Sequence, residues 1–163
     1  MDDIQPSQIS DSNHKEHELT YFDGSKRRVL TLNIEVPYPA GKLIVSRTDA
    51  RGFITHANKV FVEMSGYAES ELIGQPHSIL RHPDMPAAAF KDVWDTLAQG
   101  RNWKGYVKNL RKDGKYYWVF ASVVANIRKG VVVGYTSVRR KPSRERINEC
   151  IQLYAELRDK EMK

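Results

Sequence analysis

Leu30, Leu32, Ile34 and Val36 alternate with polar neighbours, the period of a strand with one buried face, and Pro37 and Pro39 end the run. The preceding residues, 1–18, are polar and read as disordered. Residues 1–41 are therefore expected to form an N-terminal arm, partly disordered, that can add one strand to a domain or to a partner. From Leu43 the pattern becomes a hairpin. Leu43–Arg47 and Phe53–His56 are short apolar runs around the turn residues Asp49–Gly52.

Helical spacing takes over after the hairpin. Asn58 stands where a helix over "KVFVEMSG" needs its N-cap, and Gly66 closes it; "AESELIG" reads as a second short helix. "PAAAFKDVWDTLAQG" predicts a longer one, with Pro86 in its first turn and Gly100 at its end. Phe90, Val93, Trp94 and Leu97 share one face of it and read as core. Three strand-like segments follow, Lys104–Arg111, Lys115–Ile127 and Val131–Arg140, joined by "KDGK" and "RKG". Ser143 opens a last helix with an apolar stripe of Ile147, Ile151, Tyr154 and Leu157. The order predicts an α+β domain over residues 42–141, a five-stranded antiparallel sheet with helices on one face, followed by a helix over 142–163.

Composition narrows the classes. The 163 residues, 40% of them apolar, suit one modest core, and the single Cys150 forms no internal disulfide, which fits a reducing cytosol. No signal peptide or transmembrane-length apolar run is visible. The net charge of +6 suits an anionic partner, but Lys and Arg are scattered and no nucleic-acid motif accompanies "YYWVF", so a nucleic-acid partner is not expected. His77, His82 and Asp84 do not repeat a zinc signature, so no metal is expected either.

"RHPDMP", residues 81–86, is the segment richest in candidate chemistry. Pro83 and Pro86 fix two φ angles, so Arg81, His82 and Asp84 point in set directions just before a helix. Asp84 alone is equally well explained as a carboxylate favouring the helix N-terminus.

"ITHAN", "SGY", "GQPHSILRHPDMP", "WKGYVKN" and "YWV" together resemble the flavin-binding PAS domain of bacterial aerotaxis receptors, over roughly residues 42–141. That resemblance implies a PAS fold, non-covalent FAD, sensing of redox or energy status, and output through an adjacent membrane-associated module to a chemotaxis kinase. It implies no turnover, and no acid–base pair in a substrate pocket is evident. It places the chain in the cytoplasm, at the inner face of the membrane as part of a receptor, with homodimerisation as one arrangement for the last helix. On this footing Arg81 forks onto phosphate or ring oxygens, and His82 and Asp84 contact or support the ligand. Trp103 and Asn109 share one pleat parity and can both face the ring. His77, Asn58, Ser78, Ser122 and Arg139 complete the expected cofactor-binding set. The reactive cysteine of blue-light flavin domains has no counterpart in "GQPHSILRH". The alternatives are haem, for which the long helix offers no His, another ligand, or a protein-interaction module without cofactor.

Overall fold

The two later hairpins and the earlier one join into a single sheet. The computed structural model describes residues 1–9 and 13–162. A hairpin of β1 (Lys15–Thr20) and β2 (Lys26–Thr31) stands apart from an antiparallel sheet of β3 (Ile44–Asp49), β4 (Ile54–Ala57), β5 (Trp103–Leu110), β6 (Tyr116–Arg128) and β7 (Val131–Arg140). The strand order is β4-β3-β7-β6-β5. Helices α1 (Lys59–Ser65), α2 (Glu69–Leu72) and α3 (Ala87–Ala98) and a 3-10 turn, His77–Leu80, connect β4 to β5 across the inner face. Phe61, Leu72, Leu80, Tyr117 and Val119 are buried between these layers. Helix α4 (Arg144–Glu161) packs on the outer face instead, with Ile147 and Tyr154 against Trp118 and Met85. Trp118 stacks on Tyr154 at 6.2 Å between ring centroids.

The arm differs from its sequence reading. Part of the segment read as disordered, residues 10–12, lies outside the described residues. Of the rest, Ile4 is buried and residues 15–20 pair with β2. The single strand expected over 27–36 is divided: β2 ends at Thr31, and residues 32–36 run beside the β5–β6 turn, where Leu32 N donates to Gly114 O at 2.7 Å and Val36 N to Tyr116 O at 2.7 Å. Alternation was visible, but the pairing partner of a polar strand such as "KEHELT" was not. The hairpin owns a small core of Ile4, Leu19, Tyr21, Val29 and Leu30, closed by Leu110 of β5. Arg27 fastens it to the domain. This buried guanidinium donates to Asp2 O at 2.7 Å, Ile79 O at 2.9 Å and Tyr67 Oη at 2.9 Å.

Candidate functional site

Helices and sheet do not close completely. A cavity of about 810 Å3 lies between them, in the size range of cofactor sites. Phe90, Val93 and Trp94, which the helical stripe marks as core, form its α3 wall. Periodicity finds the face that a helix turns inward, but not whether that face meets side chains or a ligand space.

At the cavity's sheet wall lies Arg139, 3% exposed. Its Nη2 donates to Ser46 Oγ at 2.8 Å and its Nη1 to Ser137 Oγ at 2.9 Å, while the guanidinium lies 4.8 Å over the Phe61 ring. No carboxylate pairs with it among the described residues, and its Nε has no hydrogen-bond partner. Burial without a counter-charge lowers this guanidinium to about 10. It remains a cation at neutral pH. His77 Nε2 sits 3.2 Å from Arg139 Nη1. A guanidinium only donates, so Nε2 accepts and the ring proton is on Nδ1. Burial, and then the Arg139 charge, lower His77 to about 3 and keep it neutral.

The β5 wall carries Trp103 and Asn109, both buried and both on the cavity. Trp103 Nε1 donates to Asp92 Oδ2 on α3 at 2.9 Å, which fixes the indole plane. The ring lies across Gly105, where an added Cβ would come within 2.4 Å of it. The glycine of "WKG" is thus a shelf for the indole. Arg81 pairs its backbone with Asn109 and turns its side chain over Phe90, 5.1 Å above the ring. Its Nε also lacks a partner, and burial lowers its guanidinium. Ser78 stands beside it on the cavity wall. At the mouth, Tyr21, Phe22, Asp23 and Ser25 of the β1–β2 turn complete the lining, so the arm supplies a wall of the site. Ser46, Ser137 and Tyr135 are further wall residues that sequence reasoning missed. A serine one pleat from an arginine carries no distinguishing pattern.

The stiff loop faces two ways. Arg81 lines the cavity, whereas His82 and Asp84 point toward β5 and α4. His82 is 4% exposed; its Nδ1 accepts from Asp84 N at 2.9 Å, and its ring meets the Tyr116 ring at 6.0 Å. Burial and the Lys108 charge hold His82 far below the usual imidazole range. Burial would raise the Asp84 carboxyl, but the Lys108 ammonium 2.8 Å away holds it below the usual carboxylate range. Arg158 of α4 donates to Asp84 O. Glu161, in the last turn of α4, accepts from Ala87 N at 3.2 Å and Ala88 N at 2.9 Å. It caps α3, whose own N-cap residue, Pro86, has no side chain able to do so.

Two other expected residues lie off the cavity wall. Asn58 Oδ1 accepts from Phe61 N at 3.0 Å and Val45 N at 3.1 Å, and Nδ2 donates to Leu43 O at 3.0 Å, so its amide pins α1 to β3. Ser122 lies between Ala121 and Val123, both of which line the cavity, and by pleat alternation it faces outward. Among the described residues no group of three or more His, Cys, Asp or Glu could hold a metal ion, and no helix is long and apolar enough to cross a membrane.

The PAS fold family matches residues 54–139. The chain is 50% identical over 114 residues to the aerotaxis receptor of Escherichia coli strain K12, covering 70% of this chain and 22% of that one. It is 36% identical over 75 residues to the nitrogen fixation regulatory protein of Klebsiella pneumoniae, covering 46% of this chain and 15% of that protein. The chain thus spans under a quarter of the length of these curated relatives. A light-oxygen-voltage domain solved in work on a flavin analogue superposes with a TM-score of 0.58 at 26% identity, over 70% of this chain and 86% of that one. The chain belongs to the PAS fold family, as a sensory domain related to the aerotaxis receptor and other signalling proteins.

Proposed function

We propose that the chain binds FAD non-covalently and reports redox or energy status to a chemotaxis-type signalling output. The observation that carries this reading is Arg139, a buried cation on a roomy cavity with no carboxylate among the described residues to balance it. Such a charge is costly unless a ligand supplies negative charge or acceptors. Bound FAD supplies reversible electron uptake. The chain's own residues do the rest. Trp103 offers a flat apolar wall held in place by Asp92 and Gly105. Asn109 presents an amide that can donate or accept. Ser46 and Ser137 orient the Arg139 guanidinium, which favours added negative charge nearby. Arg81, beside the mouth, suits a pyrophosphate. Half identity to an aerotaxis receptor supports the signalling reading, and likeness to a domain studied with a flavin analogue supports a flavin as the ligand. Haem is less well served: His77 Nε2, the atom an iron would take, already accepts from Arg139.

Binding rather than turnover is the better reading, since His77, lowered to about 3, is a weak base whose Nε2 is already occupied by Arg139 and Ser46, and among the described residues no carboxylate partners it. The output runs through α4, whose end is tied to the "RHPDMP" loop by Arg158 and to the first turn of α3 by Glu161. A shift of Arg81 toward a ligand of changed charge would strain those ties. The receiver is a receptor module at the inner face of a membrane, and exposed Ile151 and Leu153, on opposite flanks of the buried stripe, leave α4 apolar positions for it or for a second copy. The test is the absorption spectrum of the purified protein, with FAD titration of any colourless fraction. Flavin bands and an Arg139→Met variant at least tenfold weaker for FAD are expected. A colourless protein that takes up no FAD refutes the reading.

A further inference from the structure

The β6–β7 ribbon outruns its sheet. β5 begins opposite Val123 and β3 ends opposite Gly134, so β6 beyond Val123 and β7 before Gly134 each lack a second neighbour. The free end is apolar: Ile127 is 65% exposed, Val131 62%, Val133 46% and Val132 37%. Ile127 and Val132 are cross-strand partners on one side, Val131 lies on the other beside its partner Arg128, and Val133 is the extra residue of a bulge between Gly134 and Val132. Both sides of one ribbon are therefore apolar and wet. Together they expose on the order of a few hundred Å2, the scale of an interaction patch.

The turn adds charge. Arg128 and Val131 pair around Lys129 and Gly130, both at positive φ, 52° and 77°. That is the tight hairpin turn that favours Asn-Gly, and Lys129 is the one non-glycine at positive φ among the described residues. Backbone preference does not select lysine there, so its ammonium is the feature that distinguishes it. Residues 124–134, "VANIRKGVVVG", hold two cations and no acid. Neither Arg128 nor Lys129 is ion-paired among the described residues. A protein surface covers one side of a ribbon, whereas a fluid apolar layer covers both. Long basic side chains at the turn reach phosphates while their stems stay in the apolar layer.

We propose that the tip of the β6–β7 ribbon docks on an anionic lipid surface, with Ile127, Val131, Val132 and Val133 at the acyl boundary and Arg128 and Lys129 on headgroup phosphates. The net charge of +6 assists the approach. The inference stands independently of any ligand in the cavity.

Co-sedimentation with phosphatidylcholine vesicles, and with mixed phosphatidylcholine–phosphatidylglycerol vesicles, tests it. The parent should bind the mixed vesicles, less at high salt, and the neutral ones weakly. Lys129→Asn suits the turn, so it should keep or raise the melting temperature while lowering partition roughly fivefold. Arg128→Gln should do the same to partition. Ile127→Thr with Val131→Thr keeps β-branching and should remove most binding. Lys42→Gln, far along the chain, is the charge control. No binding by the parent overturns the proposal, as does equal loss in Lys42→Gln or unchanged binding by the ribbon variants. Self-association abolished by the threonine pair, without vesicle binding, assigns the ribbon to a second copy and also overturns it.

Discussion

Mild acid should destabilise this protein through His82. The unperturbed imidazole value is 6.5, and burial with Lys108 places the folded ring well below it. A lowered pKa means that the folded state binds fewer protons than the unfolded chain between the two values. Stability is therefore complete above about pH 6.5 and falls as the pH drops toward the folded value. The slope in that window is about 1.4 kcal/mol per pH unit per ring. From pH 7 to pH 5 His82 then costs about 2 kcal/mol, a large part of a typical 5–15 kcal/mol total. Asp84, with Nδ1 and its carboxylate oxygen 3.8 Å apart, opposes the shift, while Lys108, His17 and Arg158 add to it. His77 follows the same sign, but it borders the cavity, so its share depends on how dry that space is. Urea unfolding of parent and His82→Asn at pH 7, 6, 5.5 and 5 measures the effect. Asn keeps an acceptor for Asp84 N, so the variant should lose little at pH 7 and show a flatter decline. A parent stability that is level over this range, or an equal slope in both proteins, refutes the argument.

Glu161→Gln should weaken the cap on α3 by about 0.5–2 kcal/mol in ligand-free protein, read as faster hydrogen exchange at Ala87 and Ala88. Gly134→Ala should lose several kcal/mol or fail to fold, because its Cβ would sit 2.1 Å from Thr48 O, a backbone atom in the β3–β7 ladder; thermal melting checks it. Arg27→Met removes three charge-assisted donors from the arm and should cost about 1–3 kcal/mol, seen as easier proteolysis of the β1–β2 turn.

Element type was largely legible in the sequence, because turns and caps are local. Asp49–Gly52, Asn58, Gly66 and Asp113-Gly114 act through their own backbone neighbourhoods and stand where they were expected. Facing was less legible. Trp103 and Asn109 share a parity that survives folding, but Pro83 between His82 and Asp84 does not reveal that the loop divides its side chains between cavity and α4. Arg139 was visible as a candidate, yet its missing counter-charge is a fact about residues far away in sequence. The arm was least legible, since a polar strand such as β1 is recognised by its partner and not by its pattern.

The β1–β2 hairpin has a kinetic consequence. It walls the mouth of the cavity, yet its core is separate from that of the sheet, and Arg27 is its main polar tie to the domain. Opening it exposes that small core and breaks those bonds without unpairing any strand of the five-stranded sheet. Such sub-global opening lies below global unfolding in free energy. Hairpin opening therefore offers the ligand proposed for the cavity a route of escape whose rate carries the opening free energy as well as the contacts at Arg139. A change at Arg27 would then alter how fast such a ligand exchanges by that route while leaving its contacts with the sheet in place.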